Sequence, residues 1–232
     1  MNVLALDTAT PSSVAAFQGR GADVVALRHD PQAGERPGHA ERLLLLAHEV
    51  LGAADMDFHD LDRIAVGVGP GGFTGLRIGI ATARGLAQAH GTSLVGVSSL
   101  RALASIDSGV PASRERLVVA VIDARRGEVF AAAWDTAGAP VLPAAAYAPE
   151  ELCLRVRALH GHSPLVAVGD GALRYRAVLE AAGVAVPSDE SDCHRVSGAA
   201  LCRLGVEGKP IRRDQLVPDY RRDPDAKPPR LP

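Results

Sequence analysis

The segment Gly67–Gly79, which reads GVGPGGFTGLRIG, limits the folds open to this chain of 232 residues. The apolar run 63–68 leads into it, and a long apolar stretch without proline, 74–89, continues from it. A short apolar run that ends in glycine predicts a buried strand, and the longer stretch predicts a helix. The sequence therefore predicts a strand, a tight turn and a helix, a unit from which α/β domains are built.

Gly67, Gly69 and Gly72 match the G-x-G-x-x-G pattern of dinucleotide-binding turns. Such a site also needs an acidic residue about 20 residues further on to bind the ribose. No Asp or Glu occurs between positions 84 and 105, so we reject a dinucleotide site. Two interpretations of the turn remain. We favour a purely structural turn over an anion site built from free N–H groups at the start of the helix.

The remaining pattern predicts two successive α/β units. The first has strands at 2–7, 13–17, 24–27, 63–68 and 93–97 and helices at 40–51, 74–89 and 100–106. The second resembles a shortened copy, with strands at 117–123, 128–134 and 165–168, helices at 150–159, 172–182 and about 197–206, and a Pro- and Ala-rich loop at 138–149. We expect an N-terminal lobe at 1–100, a smaller lobe at 101–215, and a tail at 216–232 that packs partly on the first lobe.

Composition narrows the function. The net charge is -2, which argues against a chain that grips nucleic acid by itself, because phosphate binding needs a basic surface. Three cysteines without C-x-x-C spacing argue against disulfides and a zinc site. The start of the chain does not resemble a signal peptide, and no apolar run approaches the ~18 residues of a membrane span. We therefore expect a soluble cytoplasmic protein with no membrane contact.

Two helices carry the candidate interface. Leu43 to Leu46 are four consecutive leucines in helix 40–51, so no single face holds them all. Gly75 and Gly79 lie four residues apart in helix 74–89, where each glycine costs up to about 1 kcal/mol against alanine. Close approach of another backbone would offset that cost. The neighbour is either the chain's own sheet or a helix of a partner chain, and the leucines favour a partner.

Other catalytic signals are weak. Asp7-Thr8 ends the first strand, and Gly169-Asp170-Gly171 ends a later one; each fits a nucleotide-binding loop or an ordinary turn. His160 and His162 lack acidic or cysteine neighbours at ligand spacing. The chain has neither a G-x-S-x-G nucleophile turn nor a Walker A loop.

Several motifs together resemble the TsaB/YeaZ family. The stretch 69–79 is similar to its hallmark GPGSFTGLRIG, with Gly72 in place of serine. The opening 4–10, the helix start 39–44 and the segment 218–222 resemble the family's first strand, its HSExLLP helix and its P-x-Y-L-R box.

The resemblance implies an α/β fold of two RNase H-like lobes, as in the actin-like and sugar-kinase ATPase (ASKHA) superfamily, and kinship with the catalytic paralogue TsaD. TsaD carries its metal on a V-N-H-L-x-x-x-H segment. The matching segment here places Ser99 and either Leu103 or Ala104 at its two histidines. None of these is an imidazole, so the resemblance implies no bound metal. TsaD's S-G-G-H-T phosphate loop has no counterpart in 122–127.

We therefore expect a non-catalytic scaffold subunit for N6-threonylcarbamoyladenosine (t6A) synthesis at position 37 of tRNA. It would bind TsaD, act with the TsaE ATPase in the full complex, contact tRNA only through the complex, and form a homodimer when alone. The alternative is an autonomous ATP-binding phosphotransferase or ATPase; we expect no cofactor beyond weak or vestigial ATP or ADP binding. The expected interface residues are His39, Leu43, Leu44, Ala47, Gly75, Leu76, Gly79, Ile80 and Ala83. The expected residues of a vestigial nucleotide site are Asp7, Thr8, Gly71, Gly169, Asp170 and Gly171.

Overall fold

A computed structural model describes residues 1–32, 34–105, 116–135, 137–160 and 164–222. The strands are β1 (Val3–Asp7), β2 (Ser13–Gln18), β3 (Val24–His29), β4 (Arg63–Gly69), β5 (Ser93–Ser98), β6 (Leu117–Arg125), β7 (Glu128–Trp134), β8 (Pro140–Tyr147) and β9 (Leu165–Val168). The helices are α1 (His39–Gly52), α2 (Phe73–His90), α3 (Ser99–Ala104), α4 (Pro149–His160), α5 (Asp170–Arg174), α6 (Arg176–Ala181) and α7 (Gly198–Glu207). His160 and His162, whose sequence neighbours do not suit a metal site, fall outside the residues whose side chains are described.

The described strands form two sheets with the same plan. The first sheet has the order β3-β2-β1-β4-β5 and the second has β8-β7-β6-β9. Each begins with an antiparallel meander of three strands, and the first strand of each meander pairs in parallel with a later strand, β4 or β9. The predicted repetition of one α/β unit is therefore present, and the second copy lacks a fifth strand among the described residues.

Helices cover the faces of both sheets. Helices α1 and α2 pack on one face of the first sheet, and α7 packs on the other. Helix α3 lies on the inner face of the second sheet and also contacts α7. Helices α4, α5 and α6 cover the remaining face. No described helix has the length and apolar character needed to cross a bilayer.

Two predicted elements differ from the structure. The stretch 138–149, predicted as a loop, contains the strand β8. This strand lies at the edge of its sheet, where proline is tolerated, and Pro143 falls where the pairing with β7 shifts register. The predicted helix 172–182 is two short helices, α5 and α6, which meet at Tyr175.

The end of the chain returns to the first sheet. Helix α7 packs on β1 and β2, although the predicted second lobe included it. Ile211 then bridges to Leu94 of the edge strand β5, and Leu216 is fully buried in the core under α2. Residues 223–232 of the predicted tail lie outside the described residues. The division of the chain into lobes at residues 100 and 215 remains a proposal. By its packing contacts, α7 belongs with the first sheet.

Candidate functional site

The glycines of the motif lie against the end of β1. The Thr8 hydroxyl donates a hydrogen bond to the carbonyl of Gly75 at 2.8 Å, and the Gly72 amide donates to the carbonyl of Ala9 at 2.8 Å. A methyl group at Gly75 would collide with the Thr8 carbonyl, and one at Gly79 would collide with the Thr8 hydroxyl. The mid-helix glycines therefore let α2 approach the chain's own first strand.

Asp7 is buried at the junction between α2 and the end of β1. Its side chain is fully buried and accepts hydrogen bonds from the Ser99 hydroxyl at 2.5 Å and from the Ala9 amide at 2.8 Å. A side chain at Gly67 would overlap the carboxylate, so only glycine fits there. Burial raises the pKa of Asp7 from 3.8 to about 6, and the two hydrogen bonds counteract part of that rise.

Asp170 belongs to a second carboxylate group, at the ends of β6 and β9. It accepts hydrogen bonds from the amides of Asp123 and Gly171, at 3.2 and 2.9 Å. Burial raises the pKa of Asp170 to about 6, and the nearby Asp123 carboxylate adds to the rise. Asp123 in turn lies 3.3 Å from Arg125 and 3.6 Å from Arg174.

Helix α3 joins the two groups. Ser99 at its start holds Asp7, and Leu103 one turn later lies where a side chain at Gly169 would collide with it. The predicted nucleotide residues thus fall into two clusters. Asp7, Thr8 and Gly71 lie where the end of β1 meets the turn before α2, and Gly169, Asp170 and Gly171 lie at the end of β9. Their carboxylates and hydroxyls are occupied by bonds within the chain.

The positions matched to TsaD's metal ligands are also occupied by packing. The Ser99 hydroxyl donates its hydrogen bond to Asp7, and Leu103 and Ala104 are buried in the core of the second sheet. Within the described residues, no three His, Cys, Asp or Glu side chains come together in a way that could hold a metal ion.

The chain is similar in sequence to a known protein family and to individual relatives. A sequence model of the family described as "TsaD: tRNA N6-adenosine threonylcarbamoyltransferase" matches residues 31–161. The tRNA threonylcarbamoyladenosine biosynthesis protein TsaB of Escherichia coli is 29% identical over 96% of this chain and 95% of its own. An uncharacterized protein of Mycobacterium tuberculosis is 37% identical over 97% of this chain and 94% of its own.

Among solved structures, YeaZ from Pseudomonas aeruginosa superposes with a TM-score of 0.76, at 29% identity, over 94% of this chain and 99% of that one. The chain belongs to the TsaB/YeaZ family. The predicted fold class, two RNase H-like sheets of the ASKHA type, is confirmed. A role in t6A biosynthesis follows from membership of this family.

The interface residues expected from the leucine run of α1 and the glycines of α2 need correction, because nearly all of them face inward. Only Leu44 is exposed. The others contact the chain's own β-sheet and helices and are buried: His39, Leu43, Ala47, Gly75, Leu76, Gly79, Ile80 and Ala83. Their helical phase explains this, since they recur every three or four residues on the inner stripes of α1 and α2.

The outer stripes of the same two helices hold a different set. Leu44 and Leu45 of α1 are 49% and 56% exposed, although they are large and apolar. Ala81 and Gly85 of α2 are exposed and small, and a side chain at Gly85 would extend into open space. We call these four residues the outer α1/α2 face. It is the part of the predicted interface region that a partner can reach.

One exposed cluster lies outside the predicted interface and nucleotide residues. Phe73 and Tyr220 stack with ring centroids 5.4 Å apart, and the Arg77 guanidinium lies 3.7 Å from the centre of the Phe73 ring. Arg77 also donates a hydrogen bond to the Tyr220 hydroxyl at 2.9 Å. The signal was present, since Phe73 and Tyr220 belong to two family motifs that lie 147 positions apart, but their contact needs the fold.

The turn between β6 and β7 is strained. Arg125 and Arg126 have positive φ, 64° and 56°, and Gly127 follows at 82°. Non-glycine residues in this left-handed region cost on the order of 1 kcal/mol each, and Asn or Gly is the usual choice. Two arginines at these positions suggest that their side chains serve a purpose beyond closing the hairpin.

We expect Gly79→Ala to lower the free energy of unfolding by about 1–3 kcal/mol, because the added methyl group collides with the Thr8 hydroxyl. Gly85→Ala is the matched control on the same helix, and it should raise stability by about 0.5–1 kcal/mol. Urea denaturation at a concentration where light scattering shows a monomer gives both values. Equal effects of the two substitutions would contradict the assigned orientation of α2.

A second prediction concerns pH. A raised pKa in the folded state means that protonated Asp7 favours folding, and this contribution is lost as the pH rises through about 6. Asp7→Asn mimics the protonated form. It should therefore stabilise the protein on the order of 1–3 kcal/mol at pH 7.5 and much less at pH 4.5. Asp23→Asn, at an exposed site, is the control in the same urea titrations. A gain for Asp7→Asn that is the same at both pH values would refute the raised pKa.

Proposed function

We propose that this chain is the non-catalytic partner of TsaD in threonylcarbamoylation of adenosine 37 of tRNA. The observation that carries the proposal is the bond between Asp7 and Ser99. The Asp7 carboxylate accepts this hydrogen bond from Ser99, the position that matches a metal ligand of TsaD. Both side chains are fully buried. A carboxylate that is fully buried and bonded cannot reach a phosphate, a metal or a water molecule without opening the core.

The same observation argues against an autonomous phosphotransferase or ATPase. Such an enzyme would need Asp7 or Asp170 to reach a metal–phosphate group. The Asp7 carboxylate already accepts hydrogen bonds from Ser99 and Ala9, and the Asp170 carboxylate accepts them from the amides of Asp123 and Gly171. Arg125 and Arg126 occupy the hairpin turn where TsaD carries its glycine-rich loop. Weak ATP or ADP binding would then be a remnant of the fold.

The proposed surface for TsaD is the outer α1/α2 face. Leu44 and Leu45 lose contact with water when another helix pair packs on them, which is worth roughly 25 cal/mol per Å² of apolar surface. Ala81 and Gly85 allow a helix backbone to approach closely. Two helix pairs that pack in this way form a four-helix bundle.

The face also serves self-association. A twofold copy of the chain can pair its outer α1/α2 face with itself, and a paralogue with a similar surface can take the place of that copy. We propose a homodimer for the chain alone and a heterodimer in the presence of TsaD, with TsaE joining the full complex. The reaction would take place in the cytoplasm, with tRNA held by the assembly.

Reconstitution tests the function. We expect threonylcarbamoyl transfer to tRNA from a mixture of TsaD, TsaE and this chain that is supplied with ATP and an activated threonylcarbamoyl donor, and none from this chain with the same donor alone. Omitting the chain should reduce transfer at least tenfold. Transfer by the chain alone, or equal transfer by TsaD and TsaE without it, would overturn the proposal.

A matched pair of substitutions tests the surface. Leu45→Arg should abolish both the homodimer and binding to TsaD, because it places a charge in an apolar interface. Leu154→Arg changes another exposed helical leucine, on α4, and should leave both assemblies intact. Light scattering with and without TsaD measures assembly, and circular dichroism verifies folding. Folded Leu45→Arg protein that still dimerises and binds TsaD would place the interface elsewhere.

A further inference from the structure

The segment after Leu216 connects the carboxyl ends of the two sheets. The Asp219 amide donates a hydrogen bond to the carbonyl of Val68 at the end of β4, and Tyr220 stacks on Phe73 at the start of α2. Two residues later, Arg222 donates to the carbonyl of Ala124 and pairs with Glu128 at the β6–β7 hairpin, both at 3.0 Å. The aromatic pair and the hairpin therefore belong to one continuous surface.

Arginines surround this connection. Arg77 lies on the aromatic pair, Arg221 follows Tyr220, and Arg125 and Arg174 both approach Asp123 beneath the hairpin. The side chains of Arg125, Arg174 and Arg221 are 66%, 54% and 42% exposed. Asp123 is only 6% exposed, and Asp219, the partner of Arg221, is 28% exposed. The cationic groups thus stand further into solvent than the carboxylates that hold them.

Exposed aromatic rings beside exposed guanidinium groups are the combination that binds unpaired RNA. Bases stack on rings and on guanidinium planes, while arginine neutralises phosphates. Phe73 and Tyr220 remain 50% and 45% exposed even though they stack on each other. Arg77 holds both rings in place, which lowers the entropy lost when a base stacks on them.

We infer that this surface, made of Phe73, Arg77, Arg125, Arg174, Tyr220 and Arg221, contacts RNA directly. The aromatic pair would receive unpaired bases, and the arginines would contact the phosphates on either side. We call it the arginine–aromatic surface. The inference rests on the proposed function, which makes tRNA the RNA concerned. It revises the expectation that tRNA binding is left to the complex, because this chain would contribute contacts of its own despite a net charge of -2.

The arginine–aromatic surface adjoins the outer α1/α2 face without coinciding with it. Phe73 and Arg77 occupy the first turns of α2, and Ala81 and Gly85 follow along the same helix. An RNA on the first turns would lie at the rim of a partner docked on the later ones. The effects of substitutions on RNA binding and on partner binding can therefore be measured separately.

The proposed contacts between the arginines and RNA phosphates are tested by the affinity of this chain for a tRNA transcript. Fluorescence anisotropy measures that affinity between about 50 and 200 mM salt. Arg125→Gln and Arg221→Gln should each weaken binding several-fold and reduce the slope of log affinity against log salt by about 1. Arg125→Gln leaves Arg174 next to Asp123, so the buried carboxylate keeps a partner. Arg157→Gln, at an exposed site on α4, removes the same charge and should change neither quantity.

The rings are tested separately. Tyr220→Leu should weaken tRNA binding about fivefold or more, whereas Tyr220→Phe keeps the ring and should retain most of the affinity. Parent-like binding by Tyr220→Leu, or equal losses in the arginine variants and Arg157→Gln, would overturn the inference.

Binding to TsaD, measured on the same samples by light scattering, separates this inference from the proposed function. If TsaD binds the parent and the variants alike while tRNA affinity is unaffected by the substitutions, the arginine–aromatic surface is wrong and the proposed function stands. If TsaD does not bind but tRNA affinity falls as expected, the surface stands and the proposed function is wrong.

Discussion

The close packing of α2 against the end of β1 is the contact on which the rest of the structure depends. It requires glycine at positions 75 and 79, because any side chain there meets Thr8. Thr8 then fixes the path of Asp7 and Ala9, which brings the Asp7 carboxylate under Gly67 and onto Ser99. Since Ser99 begins α3, the helix between the two sheets, one glycine-dependent contact sets the position of both halves of the molecule.

Much of this architecture could be predicted from the sequence. Short apolar runs located the strands of the first sheet, and the order of elements indicated a repeated α/β unit. Strand β8 was missed because Pro143 and a run of alanines resemble a loop, and only the edge position makes them acceptable in a strand. The two halves of α5–α6 could not be separated for a different reason, since their break at Tyr175 depends on packing and not on a breaker residue.

The orientation of α1 and α2 is where the structure departs most from the expected interface, and the sequence contained the means to predict it. In α1, Leu43, Leu46, Ala47 and Val50 recur at helical spacing and define the buried stripe, which leaves Leu44 and Leu45 outside. In α2, Gly79 shares its stripe with Leu76, Ile80 and Ala83. The identity of the backbone that approaches the glycines was beyond the sequence, because Thr8 is 67 residues from Gly75 and only the fold brings them together.

Burying Asp7 and Asp170 has a cost that the rest of the chain must offset. Burial raises the pKa of both, so each ionised carboxylate destabilises the folded state near neutral pH. In a nucleotide-binding relative, metal and phosphate chemistry would justify that cost. Here the retained carboxylates do structural work, since Asp7 fixes the start of α3 and Asp170 fixes the end of β6. Both side chains thus contribute to the fold through the hydrogen bonds that they accept.

The packing of this junction also determines where other molecules can make contact. Among the described residues the interior of the junction is filled, and the exposed side chains of α2 and of the β6–β7 hairpin lie at its rim. Along α2, Phe73, Arg77, Ala81 and Gly85 succeed each other at four-residue intervals, from an aromatic and charged end to a small and apolar one. One helix thereby offers two chemically distinct surfaces, one suited to stacking and phosphate contact and one suited to close helix packing. On the proposed function, the catalytic chain and the RNA would bind to adjacent parts of the same helix.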